Sequence, residues 1–359
     1  MFRKLTRDLS LCAAAAILAG CGAGPSSVIA TGGSSASTST GSTSSTPPIK
    51  PSAPATSITQ PSIYYADDTT GPINVDIVAK SATSAVYPLG SISGISPSVD
   101  AAGNIYVYDY SAYAIKEYSP AAITGAPLRS LPVGPGSNIA GVVDVMASQT
   151  GEIYIYDGSG IAVFSATANG SDKPVRYLSV PAPGVNSYET FTVDRAGLLY
   201  VSNTPGTIYV YGASASGTAA PIRTIHGPST NLSGLYAAVP SLATDASGNL
   251  YALCSCSQTN GSAGVNFPIY EFSSTASGDV APIIASFMDP AMYPYFGDGN
   301  GIAVGTDGTI YAGGGTVSNT SSQCTIFVFA PNASGATSAN SRIGVYGCSD
   351  SPESRIAIN

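Results

Sequence analysis

From about Ser62 to Asn359 the chain alternates short apolar runs with turns rich in Gly, Asp, Asn and Pro. The most regular run follows a glycine: Gly103-Asn104-Ile105-Tyr106, Gly151-Glu152-Ile153-Tyr154, Gly197-Leu198-Leu199-Tyr200, Gly248-Asn249-Leu250-Tyr251 and Gly308-Thr309-Ile310-Tyr311. Ser62-Ile63-Tyr64 reads as a degenerate first copy, and the tyrosines then stand 42, 48, 46, 51 and 60 residues apart. A recurrence on this scale marks a structural repeat. Three residues before the glycine stands Asp100, Ser148, Asp194 or Asp245, with Gly305 in the last copy. An Asp or Ser there can accept hydrogen bonds from turn amides and Gly supplies a positive φ, so the motif predicts a tight turn between two strands. A second apolar run follows (Ile115–Tyr118, Ile161–Phe164, Ile208–Tyr211, Ile269–Phe272, Ile326–Phe329), then a polar loop, a proline and a last run such as Pro127-Leu128-Arg129, Pro174-Val175-Arg176, Pro221-Ile222-Arg223 or Pro282-Ile283-Ile284. Each unit therefore predicts four short strands. They are apolar on both faces more than they alternate, as in sheets stacked face to face.

Residues 62–359 hold six such units at these spacings, and a four-stranded unit repeated radially is the propeller solution. The chain ends show how the ring closes. Arg355-Ile356-Ala357-Ile358-Asn359 matches the first strand of a unit, such as Thr192-Val193-Asp194, and the first unit lacks that strand. The expectation is an all-β, six-bladed β-propeller with four-stranded blades, closed by residues 354–359 as the innermost strand of blade 1. The pattern Asp-x-x-Gly-Asn-[Ile/Leu]-Tyr-Val, then Ile-x-Val-Tyr, then Gly-x-x-x-Pro-[Ile/Leu]-Arg resembles the NHL-type six-bladed repeats of bacterial surface lipoproteins. That resemblance implies the fold and leaves activity open.

The first residues read as an address. Arg3, Lys4 and Arg7 form a positive end, and Leu9–Leu18 is apolar but too short for a permanent membrane span. Leu18-Ala19-Gly20-Cys21 resembles a lipobox. The resemblance implies a signal peptide over residues 1–20, cleavage before Cys21 and lipidation of its thiol. Gly22 in place of Asp implies the outer membrane. Residues 21–61 then form the lipidated cysteine and a tether of Ser, Thr, Gly, Ala and Pro, too poor in apolar groups to fold.

Composition narrows the function. With 13 Lys and Arg against 21 Asp and Glu, and only 9% charged residues, the chain lacks the basic face of a nucleic-acid binder. His226 is the single histidine, so no His-based triad or His-rich metal site can form. An acyl anchor on an acidic body means attachment by lipid, not by a polybasic patch.

Candidate chemistry is sparse. Arg129, Arg176, Arg223 and the similar Arg342 fall on last strands, where charge guards an outer edge against sheet-to-sheet pairing; the functional counterpart is an anion-binding ring. The recurring tyrosines read as core between blades. In an oxidising envelope Cys324 and Cys348, flanking one hairpin symmetrically, read as one disulfide, with Cys254 and Cys256 as a second pair or in mixed bridges. Cys-x-Cys as a zinc site lacks further ligands nearby, and no metal is expected. His226 ends a last strand and reads as a surface or satisfied histidine, with acid–base work as the alternative.

Loops between blades, and between the second and third strands of a blade, share the face opposite the Asp-x-x-Gly turns. The longest are 254–267, 288–300 and 313–324. Loop 288–300 carries Tyr293, Tyr295, Phe296, Asp298 and Asn300. These suit protein or sugar contact, unless the loop folds down as a plug. With Glu189 and His226 they form the candidate ligand face. The preferred expectation is an outer-membrane-anchored, monomeric, non-catalytic binding or scaffold propeller without cofactor, for an envelope protein or carbohydrate. The alternative resembles gluconolactonase-type propellers, a divalent-metal-dependent hydrolase or lyase with Ca²⁺ held by oxygens drawn from Asn138, Asn186, Glu189, Asp298, Asn300 and Glu353. The catalytic residues of such an enzyme are not readable here.

Overall fold

The computed structural model describes residues 61–67, 74–82, 89–134 except 122 and 124, 137, 139, 141–181, 190–203, 206–232, 238–255, 268–287, 301–315, 323–335, 339–346 and 355–359. Residues 1–60, where a signal peptide and all but the last residue of a tether are expected, lie outside the described residues.

Six four-stranded antiparallel sheets follow one another along the chain. Blade 2 comprises β4 (Ile95–Val99), β5 (Ile105–Asp109), β6 (Ala114–Tyr118) and β7 (Arg129–Pro132); blade 3 comprises β8 (Asp144–Ala147), β9 (Ile153–Tyr156), β10 (Gly160–Phe164) and β11 (Arg176–Ser179). Blade 4 is β12 (Phe191–Val193), β13 (Leu199–Asn203), β14 (Thr207–Tyr211) and β15 (Arg223–Ile225), and blade 5 is β16 (Ala238–Thr244), β17 (Leu250–Ser255), β18 (Ile269–Phe272) and β19 (Ile284–Phe287). Blade 6 is β20 (Ile302–Val304), β21 (Ile310–Gly315), β22 (Gln323–Phe329) and β23 (Ser341–Tyr346). Blade 1 joins both ends of the repeat region: β1 (Ser62–Asp67), β2 (Asn74–Ala79) and β3 (Gly90–Ser93) are completed by β24 (Ile356–Ile358). The innermost strands β24, β4, β8, β12, β16 and β20 pack one against the next around the circle. This is the six-bladed propeller that the repeats imply.

The closure follows the predicted register. Ile63 faces Ile358, Tyr64 faces Ala357 and Tyr65 faces Ile356. Asn359 takes the place that Asp100 holds in blade 2: its Oδ1 accepts from the Ser62 amide at 2.6 Å, as Asp100 Oδ1 accepts from the Asn104 amide at 2.9 Å. Gly301 is small because β24 passes against it; a Cβ there would stand 2.6 Å from the Ile356 amide nitrogen.

The blades pack through strands buried on both faces, as in β9 and β10, every residue of which is buried. The five turn glycines, Gly103, Gly151, Gly197, Gly248 and Gly308, have φ between 79° and 84°, which explains why glycine recurs there. In blade 6, where Gly305 replaces the turn acid, Asp307 Oδ1 accepts from the Thr309 amide at 3.1 Å instead.

The repeat signature proves to be one structural bracket. In blade 2 the Tyr106 hydroxyl donates to Asp100 Oδ2 at 3.0 Å and accepts from Arg129 Nη2 at 3.1 Å. Arg129 then crosses to blade 3, donating to the carbonyls of Ala168 at 3.1 Å and Gly151 at 3.2 Å. Arg176 repeats this with the Tyr154 hydroxyl at 2.9 Å and the Ala213 carbonyl of blade 4, and Arg223 donates to the Ser274 carbonyl of blade 5. Arg342 lies over the Phe327 ring, 5.6 Å from its centroid. Arg129, Arg176 and Arg223 are thus inter-blade clasps, which corrects the reading of these residues as edge guards and equally the anion-ring alternative. Their guanidinium donors are divided between their own blade and the next. The edges are covered by backbone instead: Gly217 pairs with Leu178 of the preceding blade's last strand, and Gly278 with Ile225.

Candidate functional site

The strands run alternately between two faces, so the Asp-x-x-Gly turns lie at one end of the ring and the blade-joining loops at the other. At the turn face, the ends of the innermost strands surround a basin of about 650 Å³. Its acids are largely engaged. Asp100 also accepts from the Ala102 amide and Asn104 Nδ2, and Asp245 accepts from the amides of Ser247 and Asn249 at 2.8 Å and from Asn249 Nδ2. Lys80 and the exposed Arg195 supply its cations.

At the loop face the channel is crossed by one buried ion pair. Arg355, at the start of β24, donates through Nε to Asp144 Oδ1 at 2.7 Å and through Nη2 to Asp144 Oδ2. Nη2 also reaches the Phe191 carbonyl at 2.7 Å, with the guanidinium 5.1 Å from the Phe191 ring centroid. Blades 1 and 4 are opposite in a six-fold ring, so this side chain spans the axis. Both partners are under a tenth exposed.

The loop face also carries an aromatic ladder at the β5–β6 turn. Tyr108 is buried, whereas Tyr110 and Tyr113 are 44% and 49% exposed. Their ring centroids step outward, 5.1 Å from Tyr108 to Tyr110 and 6.3 Å from Tyr110 to Tyr113. The turn is held stiffly. Asp109 Oδ1 accepts from the amides of Ser111 and Ala112, Oδ2 receives Lys116 Nζ at 2.6 Å, and the Tyr113 carbonyl accepts from the Val133 amide at 2.7 Å. Burial pushes the Asp109 carboxyl up, but the bonds from Lys116, Ser111 and Ala112 outweigh it and hold the group below its ordinary range. Burial pushes the Tyr108 phenol up to about 12.

The recurring tyrosines Tyr64, Tyr106, Tyr154, Tyr200, Tyr251 and Tyr311 are buried, as core residues. His226 lies at the loop face as expected, exposed, with Nδ1 3.0 Å from Thr207 Oγ1. Cys254 is fully buried and disulfide-bonded. Cys256 and Cys348 lie outside the described residues, as does the side chain of Cys324, whose backbone pairs with Val345. That register alone does not set Cys348 across from Cys324. Tyr293, Tyr295, Phe296, Asp298, Asn300 and Glu189 lie outside the described residues, as do Asn138, Asn186 and Glu353. Among the described residues no three His, Cys, Asp or Glu side chains cluster as metal ligands.

Sequence reasoning missed the Arg355–Asp144 pair, separated by 211 residues, and the Tyr110–Tyr113 ladder. The ladder had a signal: Asp109-Tyr110-Ser111-Ala112-Tyr113 puts two aromatics in a turn that other units fill with small residues.

One buried acid is poorly matched. Glu271 of blade 5 holds the position of Glu117, facing Ile284 where Glu117 faces Arg129. Its Oε1 accepts from Asn249 Nδ2 at 3.1 Å, while Oε2 has no hydrogen-bond partner. Burial, helped by the charge of Asp245, pushes this carboxyl above its ordinary value of 4.5 despite the Tyr251 hydroxyl. A raised carboxyl favours the fold below its ordinary value, and that contribution is lost as pH rises through the raised value. Glu271→Gln is therefore expected to be the more stable chain at neutral pH, by about 1 kcal/mol. Its advantage should shrink as pH falls toward 4.5. Thermal melts of both chains across that range check this, and a pH-independent difference would contradict it.

No known protein family and no curated protein matches the chain. Solved structures do. A Bacteroides caccae protein of unknown function aligns with a TM-score of 0.51 at 9% identity, covering 83% of this chain and 98% of that one. A catalytically inactive virginiamycin B lyase from Staphylococcus aureus, solved with quinupristin, aligns at 0.42 and 11% identity over 76% and 93% of the two chains. The WD40 β-propeller domain of Doa1 aligns at 0.42 and 13% identity over 70% and 72%. At these identities the likeness is one of fold alone.

Proposed function

We propose that this chain is a lipid-anchored lipoprotein of the bacterial outer membrane whose propeller is a non-catalytic binding module for an envelope protein or carbohydrate. The observation that carries the binding reading is the Tyr108–Tyr110–Tyr113 ladder: two half-exposed rings on a stiff turn, at the face where the longest loops also fall. Exposed aromatics held rigidly give contact area with little entropy to lose on binding. The anchor rests on the Leu18-Ala19-Gly20-Cys21 motif. The channel centre favours binding over the metal-dependent alternative, because a guanidinium already crosses the axis, paired with Asp144.

The test is made on the full chain in a Gram-negative host. Labelled palmitate is expected to enter the wild type, which should fractionate with outer membranes. Cys21→Ala should take up no label and move to the soluble fraction. A photo-crosslinking residue at position 113 should capture an envelope component that His226 or Arg195 variants leave unchanged. Palmitate uptake equal in both chains would refute the anchor, and an empty crosslink at position 113 would refute the binding face.

A further inference from the structure

Exposed large aliphatic residues recur at one position of four successive blades: Leu128, Val175, Ile222 and Ile283 are 59%, 63%, 58% and 56% exposed. Single exposed apolar residues are ordinary, but the same position in blades 2 to 5 is a pattern. The register fixes its height. Each residue immediately precedes the one paired with Glu117, Val163, Val210 or Glu271, so each stands level with Tyr118, Phe164, Tyr211 or Phe272, where the third strand ends. That end is the turn face. The side chains are carried on fixed backbone, since the four amides donate inward to Glu117, Val163, Val210 and Glu271 carbonyls at 2.8 Å. A proline, with no amide to satisfy, precedes each one.

The chain enters the propeller on this same face. Pro61 lines the basin beside Asn359, and β1 starts from there. The segment that precedes Pro61 therefore joins the propeller at the turn face. A flexible segment of the length of residues 21–61 has a root-mean-square reach of roughly 35 Å, so a lipid on Cys21 holds this face close to the bilayer. At that effective concentration weak apolar contacts suffice.

We infer that the turn face rests on the membrane surface, with Leu128, Val175, Ile222 and Ile283 dipping into the lipid interface. This rests on the lipid-anchor reading and adds an orientation to it. The occupant is a lipid surface because the four residues are aliphatic and spread around an arc of the rim. A plane meets such an arc at all four points, whereas a protein partner usually buries a compact patch rich in aromatics and Arg. Inside the arc the exposed Arg195 offers phosphate-bearing headgroups a cation, while the half-buried Lys80 faces the Asp307 carboxylate. The orientation leaves Tyr110 and Tyr113 pointing away from the bilayer.

The chain contains no Trp, so one introduced indole reports its own surroundings. Full-length lipidated Val175→Trp and Tyr110→Trp are reconstituted on vesicles of phosphatidylethanolamine and phosphatidylglycerol, with and without brominated acyl chains, and palmitate is measured on the same preparation. Leu128→Trp and Ile222→Trp serve as parallel reporters. The inference expects the emission of Val175→Trp to shift to the blue and to be at least halved by brominated lipid, with Tyr110→Trp unchanged. Both indoles unquenched in palmitoylated protein would overturn the orientation and leave the anchor standing. Quenching of Tyr110→Trp alone would invert the orientation. A concentration-dependent blue shift of Val175→Trp without vesicles would assign the arc to a second copy of the chain. Absence of palmitate would remove the anchor, and the orientation with it.

Discussion

Arg355→Ala is expected to lower the melting temperature of the chain by on the order of 10 °C, the largest effect of any single side chain described here. The residue is under a tenth exposed, and its guanidinium is shared between Asp144 of blade 3 and the Phe191 carbonyl of blade 4. Removing it leaves Asp144 buried without its charge partner, and breaking a buried pair from one side costs about 3–5 kcal/mol. It also frees the short strand β24, whose three paired residues complete blade 1. A differential scan of the full chain measures the effect. A shift of no more than one or two degrees would mean that β24 is held by its ladder alone.

The second large effect is expected at Arg129. Arg129→Ala should destabilise the chain by about 3–5 kcal/mol, because Glu117, 7% exposed, loses the guanidinium that neutralises it. Arg223→Ala should cost about 1 kcal/mol, since Val210 rather than an acid faces Arg223 and only neutral acceptors are lost. Blade 5 offers the converse. There Glu271 stands with Ile284 in the arginine position, so Ile284→Arg should raise stability. That gain should vanish when Glu271 is replaced by Gln. Urea melts of the wild type, Arg129→Ala, Arg223→Ala, Ile284→Arg, Glu271→Gln and the Ile284→Arg/Glu271→Gln chain decide this. Equal losses for Arg129→Ala and Arg223→Ala would contradict the role given to the buried glutamate.

The parts of the fold that could be read in the sequence are those encoded locally. Asp100 and Gly103 lie within one turn, as do Asp194 and Gly197, and each turn announces a strand on either side. Asn359 could be placed because it occupies the same turn position as Asp100, so ring closure was legible although its partners lie at the other end of the chain. The meaning of the recurring arginines was not legible. Arg129 sits on an outer strand, which suggests an edge, but its side chain runs inward over Tyr106 to the next blade. Sequence order says nothing about which way a long side chain turns. Arg355 and Asp144 escaped notice for a related reason. They meet across the channel only after six blades have closed, and neither belongs to the repeat. The same holds for the arc of Leu128, Val175, Ile222 and Ile283. The sequence shows apolar residues beside prolines, but the burial of their neighbours and the loop pairing along the outer strands are needed to see that these four stay exposed.

These points give the molecule a consistent division of labour. Recurring polar residues build brackets between blades, and the non-recurring ones, Arg355, Asp144, Tyr110 and Tyr113, distinguish the two faces and the channel. The central claim is that the C-terminal strand closes the ring and is locked across the axis by Arg355 and Asp144. The most direct test is a double-mutant cycle on the full chain with Arg355→Ala, Asp144→Ala and the pair, read by urea unfolding. The account predicts a coupling of about 2 kcal/mol or more, the double variant being far less damaged than the sum of the singles. Additive losses, or two singles each without effect, would contradict it.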